Sequence, residues 1–198
     1  MQATDGELVV RCLEGDQDAF AALVRRYQAA VYATAFYYAG RYNGTEDIAQ
    51  DAFWAAYRSL PQLKEPDSFG AWLKGVTTRV AANWLRRNAP RLRNETPLPH
   101  RRTLSLEEAR RGGRDAVGDA DYERVHLAIE ALPERYRLPV VLRYMQEMSY
   151  EEISRFTGES YDEIRGILNR ANKLLREILV RKQEETGQSE LPWPRAST

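Results

Sequence analysis

Side chains able to do covalent chemistry are sparse in this sequence and do not gather. The two histidines, His100 and His126, stand apart, and His126 has only Glu123 and Glu130 as neighbours at helical spacing. Cys12 lies in the apolar stretch ELVVRCL, the setting of a small buried hydrophobe rather than of a nucleophile. A single cysteine makes neither an internal disulfide nor a cysteine-rich zinc site. No catalytic residue, metal, cofactor or small-molecule substrate is therefore expected. The chemistry that the spacing does support is recognition, in three places.

The first is TEDIAQDAFWAAYRSL, residues 45 to 60. Asp47, Gln50, Asp51, Trp54 and Arg58 share one helix face, leaving Ile48, Ala52, Phe53, Ala56, Tyr57 and Leu60 to pack inward. An aromatic anchor inside a polar rim is the make-up of a protein-binding hot spot; the alternative is a solvated face with one stray aromatic. The second place is AWLKGVTTRVAANWLRRNAPRLR, where Trp72 and Trp84 alternate with Lys74, Arg79, Arg86, Arg87, Arg91 and Arg93. Rings beside cations suit unstacked bases and their phosphates, although both tryptophans also fit an apolar core stripe.

The third place is SYEEISRFTGESYDEIRGILNRANK, residues 149 to 173. Ser149 with Glu152, and Ser160 with Glu163, each read as a capping box. Two helix starts 11 residues apart with Gly158 between them predict a helix-turn-helix, whose second helix enters the major groove. Its inner face is Ile164, Ile167, Leu168, Ala171, Leu174 and Leu175; its outer face is Asp162, Arg165, Gly166, Asn169 and Lys173, with Arg170 and Arg176 at the edges. A helical hairpin in an ordinary bundle is the competing reading. Glu163 is committed to its cap, whereas Asp162 faces phosphates that repel it, though it can accept from a cytosine amino group.

Helices must position all three. The 198 residues are 43% hydrophobic and 29% charged, as in a globular protein, with 29 basic and 29 acidic residues in balance. Only the distribution of charge is informative. A first helix is expected after Asp5 as cap, ending at Gly15, and a second after Asp16. Thr45 is the expected cap of a third helix running to about Leu60, and a fourth spans Ser68 to Arg87. From 89 to 120 apolar periodicity fades; nine arginines against three acids lie between Arg86 and Arg114, as in a basic flexible linker. Helices resume over 121–182, with Tyr122–Leu132 and then Glu134 to about Gln146 ahead of the quoted stretch, and 183–198 reads as a disordered tail. No signal peptide opens the chain and no apolar run approaches the roughly 18 residues of a membrane span, so a cytoplasmic location without membrane insertion is expected. The expected fold is all-α: two small helical domains on a basic tether.

Taken together these residues resemble the extracytoplasmic-function (ECF) group of bacterial RNA polymerase sigma factors, in the sigma-70 family. The resemblance rests on Asp5, Glu7, Leu8 and Val9; Gly15, Asp16, Ala19 and Phe20; Glu46, Asp47, Gln50 and Phe53; and Phe69, Trp72 and Leu73. In the second half it rests on Leu132, Pro133, Arg137 and Leu142, then Ser149, Tyr150, Glu152, Ile153 and Gly158. It covers residues 5 to 181.

The resemblance implies that residues 1–88, the region 2-like bundle, bind core RNA polymerase through Asp47, Gln50, Asp51, Trp54 and Arg58. The same bundle would melt the minus-10 element with Lys64, Phe69, Trp72, Lys74, Arg79, Asn83, Arg86 and Arg87, the helix from Phe69 to Arg87 and the loop from Leu63 to Ser68 together holding a flipped base. Residues 121–182, the region 4-like domain, would bind the minus-35 element through Tyr161, Asp162, Arg165, Gly166, Asn169, Arg170 and Lys173. Promoter DNA, core polymerase and an anti-sigma factor are the implied partners. The recognition helix departs from the family in reading Asp162, Glu163, Ile164, Arg165 and Gly166 where a Gly-Thr-Val-Lys-Ser-like run is usual, which implies fewer phosphate contacts. The alternative is a sigma-like decoy that occupies an anti-sigma factor without reading DNA.

Overall fold

The structure, a computed structural model, describes residues 3–39, 42, 44–92, 125 and 127–186, and every regular element among them is helical. His100, His126, the stretch from 93 to 124 and the residues after 186 lie outside the described residues, as do the expectations placed on them.

Helix α1 (Asp5–Leu13) opens on Thr4, not on Asp5 as the sequence suggested. The Thr4 hydroxyl accepts from the Glu7 N–H at 3.2 Å, and the Glu7 carboxylate accepts from the Thr4 N–H at 2.8 Å. Asp5 is displaced from the capping role because its carboxylate turns inward. Only 6% exposed, it accepts hydrogen bonds from Arg26 and from the Tyr27 hydroxyl. Breaking such a buried pair leaves an uncompensated charge, at about 3–5 kcal/mol. The contact fastens α1 to α2 (Gln17–Ala39), whose first turn is capped by Asp16 as expected, through the N–H groups of Asp18 and Ala19.

Buried alanines at 30, 33, 35 and 39 give α2 a smooth flank on which two further helices lie closely. Helix α3 (Thr45–Ser59) begins after Gly44, with no side-chain cap; Thr45, expected as the cap, is a buried first-turn residue. A side chain at 44 would run into Trp84, whose ring atoms lie 2.5 Å from where a Cβ would sit. Ile48, Ala52 and Ala56 are fully buried, as their spacing predicts. Two 3-10 turns, Leu60–Gln62 and Pro66–Ser68, lead into α4 (Phe69–Leu92), which buries Phe69, Leu73, Val76 and Ala81. This helix runs five residues past the expected Arg87. Pro90 falls in its final turn, where a missing N–H removes one bond near an end that already frays.

In the second half, Pro133 precedes α5 (Glu134–Val140), and the chain then widens into a π-turn over Val141–Met145 instead of staying α-helical to Gln146. The exit turn bends at Glu147, a non-glycine residue at φ 54°. Arg143 steadies it by donating to the Met148 carbonyl at 2.8 Å while lying 5.2 Å over the Tyr150 ring. Helix α6 (Tyr150–Thr157) carries the predicted Ser149–Glu152 capping box and stops at Gly158, φ 80°, the left-handed conformation that glycine adopts at no steric cost. Helix α7 (Tyr161–Thr186) buries Ile164, Ile167, Leu168, Ala171 and Leu175, and continues four residues beyond the expected end of the domain.

The two helical groups touch. Phe156 of α6 is fully buried, its ring 6.1 Å from that of Tyr27, and Arg137 of α5 donates to the Tyr37 hydroxyl at 3.3 Å. A single apolar cluster therefore runs from Leu8 to Leu179.

Candidate nucleic-acid and protein interfaces

On α3 the outer residues stand as the spacing placed them: Asp47, Gln50, Asp51 and Arg58 are exposed, and Trp54 is 61% exposed. Leaving so large an apolar ring in water is unfavourable unless something covers it. Tyr57 departs from expectation. Instead of packing inward it is 42% exposed, its ring stacked 6.3 Å from Trp54 and set edge-on to Phe20 at 4.9 Å. Sequence reasoning missed it because positions 53 and 57 share a face and Phe53 takes the inner place. The result is a two-ring platform beside a row of carboxylates.

Residues on α4 divide into two groups. Arg79, Arg86 and Arg87 are exposed, and Asn83 accepts from Arg86 at 2.6 Å, so the second half of the helix presents a cationic ridge. A groove of about 480 Å³ separates this ridge from α3, with Asp51, Trp54 and Arg58 on one wall and Asn83, Trp84 and Arg87 on the other. Nearer its start, Trp72 and Lys74 are half-buried, and the Lys74 ammonium donates to the Thr157 carbonyl at 3.2 Å. Lys64, on the loop between the two 3-10 turns, is exposed. Phe69, expected on the minus-10 surface, is instead fully buried, 5.5 Å from the Tyr27 ring and 5.8 Å from that of Trp72. It seats the head of α4 and offers no surface to DNA. Trp84 rests on Gly44, so of the two tryptophans Trp72 is the one not pinned under α3.

Helix α7 turns Tyr161, Asp162, Arg165, Asn169, Arg170 and Lys173 outward, with Gly166 half-buried between them. Arg170 uses the space that Gly166 leaves, donating to its carbonyl at 3.1 Å. Glu163 is occupied as its spacing predicts: it accepts from the Ser160 hydroxyl at 2.7 Å and the Ser160 N–H at 2.8 Å. Those bonds, the hydroxyl's first, lower its pKa and keep it ionised at the helix start. Asp162, 89% exposed at its side chain, lies 3.9 Å from Arg165. An exposed pair at this distance holds little energy, but it occupies the cation nearest the start of the recognition helix. Cys12 is half-buried, and burial, then Asp16, pushes its thiol pKa up, away from reactivity.

An acidic-aromatic platform, a cationic helix across a groove from it and a helix-turn-helix define a class of protein that works by holding DNA and another protein together. Comparison with known proteins agrees. Residues 23–91 match Sigma-70 region 2, and residues 122–175 match Sigma-70, region 4. The ECF RNA polymerase sigma factor SigE of Mycolicibacterium smegmatis is 31% identical over 180 residues, covering 88% of this chain and 68% of that protein. The ECF RNA polymerase sigma-E factor of Escherichia coli strain K12 is 30% identical over 183 residues, covering 88% and 93%. Among solved structures, that of CnrH in complex with the cytosolic domain of CnrY matches with a TM-score of 0.55 at 26% identity, over 89% of this chain and 97% of that one. The chain belongs to the ECF sigma factors of the sigma-70 family. Its function is to bind core RNA polymerase and direct transcription initiation at promoters.

Proposed function

We propose that the work of this sigma factor is divided among its three faces. Asp47, Gln50, Asp51, Trp54 and Arg58, joined by Tyr57, dock on the clamp helices of the polymerase's largest subunit. Lys64, Trp72, Lys74, Arg79, Asn83, Arg86 and Arg87 hold the melted minus-10 strand. Tyr161, Arg165, Gly166, Asn169, Arg170 and Lys173 meet the minus-35 element, with Asp162 reading a cytosine amino group or weakening the contact. Residues 1–88 and 121–182 act as the two modules, and 89–120 as the tether. The protein works in the cytoplasm, contributes binding rather than catalysis, and is held in check by an anti-sigma factor. CnrH, the relative solved with the cytosolic domain of a second protein, supports that last element.

The observation that carries this reading is Trp54, 61% exposed beside Asp47 and Asp51 and across one groove from Arg87. A surface that costs free energy in water adjoins a cationic surface suited to nucleic acid, so polymerase docking and strand capture occur side by side. Tethered weak modules add through effective concentration, so α7 need not bind DNA strongly alone. Run-off transcription with core polymerase on genomic fragments tests it; discrete start sites that vanish when the protein is omitted are expected. The exposed Asp162 favours one competing reading, a decoy that occupies an anti-sigma factor without reading DNA. Capture of an anti-sigma factor with no promoter-specific transcript from core polymerase would establish the decoy instead.

A further inference from the structure

We infer that Tyr144 and Asn172 are positioning residues for DNA reading, through which the π-turn sets the angle at which α7 meets the groove. The inference rests on the reading of α7 as the helix that meets the minus-35 element. Each α-helical residue turns by about 100°, so a π-turn, with one residue more in its ring, redirects the side chains that follow it. Here it brings Tyr144 to α7. The Asn172 amide Nδ2 donates to the Tyr144 hydroxyl at 2.6 Å, across 28 residues of chain. The neighbouring Arg143 acts on the other end of the same helix. Its guanidinium lies 5.2 Å over the Tyr150 ring, and that ring is 5.6 Å from the ring of Tyr161, the first residue of α7. These holding points are 11 residues apart, about 16 Å at 1.5 Å per residue, and the outward Arg165 and Asn169 lie between them. The cradle itself is closed twice at Met148, whose N–H donates to the Leu142 carbonyl at 3.1 Å and whose carbonyl accepts from Arg143 at 2.8 Å.

The bond is a poor device for stability and a good one for alignment. Asn172 Oδ1 is buried with no hydrogen-bond partner among the described residues. An unmade bond of this kind destabilises, whereas replacing both members of a polar pair by apolar groups of similar shape is close to neutral or favourable. Asn172→Leu together with Tyr144→Phe would thus hold α7 at least as firmly. Apolar contacts have no direction, however, and a leucine can slide over a ring. A hydrogen bond weakens steeply once its angle falls below about 120°, so the amide and the hydroxyl hold α7 against roll and slide. Base reading demands that. Side chains on a rolled helix still reach phosphates, which line the groove throughout, but they miss donors and acceptors fixed on single bases.

The test uses the full chain carrying Tyr144→Phe with Asn172→Leu, beside Tyr144→Phe alone. Each protein is melted, and each selects from a pool of duplexes randomised over roughly 20 base pairs, two helical turns. The double variant is expected to melt at or above the wild-type temperature and to bind the unselected pool within about twofold of wild type. It is expected to enrich the wild-type motif about tenfold less, the equivalent of one lost base contact. Tyr144→Phe alone is expected to lose the motif equally while melting below the double variant, because it strands the whole amide. Undiminished enrichment by the double variant overturns the positioning role and leaves α7 a reader of DNA. So does a double variant that melts well below wild type, since the pair then serves stability. Pool affinity that falls as far as enrichment overturns it too, because phosphate contacts are then what the pair arranges. If wild type itself enriches no motif, the reading of α7 falls and this inference with it.

Discussion

Truncating Trp54 to alanine separates docking from folding. With 61% of the residue exposed, docking has roughly 150 Å² of ring surface to cover. At about 25 cal/mol per Å² that is at most about 4 kcal/mol, and less after the retained Cβ and incomplete coverage are allowed for. A loss of about 2–3 kcal/mol is expected, equivalent to about 30- to 150-fold in Kd for core polymerase. The folded chain loses only the stacking against Tyr57, about 1 kcal/mol, so the variant should melt within a few degrees of wild type. Titrating labelled protein with core polymerase by fluorescence anisotropy, beside a thermal melt, measures both quantities. A variant that melts normally and binds within about threefold of wild type would remove Trp54 from the interface, and the energetic case for this face with it.

Three further outcomes are expected. Arg165→Ala and Lys173→Ala should each weaken binding to a minus-35 duplex and lower the slope of log K against log salt by about 1, leaving core binding alone; an unchanged slope means that neither touches a phosphate. Asp162→Gly should strengthen the same duplex binding, by lifting repulsion and releasing Arg165; weaker binding would instead make Asp162 a base contact. Burial first, and Asp5 next, raise the pKa of Tyr27 above its ordinary value of 10.0, so its contribution to stability is whole below that pH and is lost as pH climbs past it, where the unfolded chain ionises first. Tyr27→Phe should therefore flatten the alkaline limb of Tm against pH while lowering Tm at neutrality, and identical alkaline slopes would count against the buried hydroxyl.

Local features were legible in the sequence because local physics makes them. The boxes at Ser149 and Ser160, the Asp16 cap and the outward row from Asp47 to Arg58 each depend on residues a turn or two apart. What escaped depends on partners far along the chain. Asp5 reads as a cap until Arg26 and Tyr27, more than twenty residues on, draw its carboxylate inward. The resemblance puts Phe69 on the minus-10 surface, whereas Tyr27, far back along the chain, packs against its ring. Tyr57 and Phe53 lie one turn apart on α3, and it is their contacts, Phe53 with the core and Tyr57 with Phe20 at the rim, that separate them. The contact between the domains left no periodic trace at all, since Gly70 and Gly158 contribute to it by having no side chain.

Gly44 extends the same logic to the spacing of the working surfaces. Because the Trp84 ring lies where a methyl would be, any larger residue there becomes a shim between α3 and α4. The carboxylate row and the arginine ridge would then be splayed relative to each other, and the overpacking itself would cost about 1–3 kcal/mol. One residue without a side chain thus sets the distance between the two surfaces.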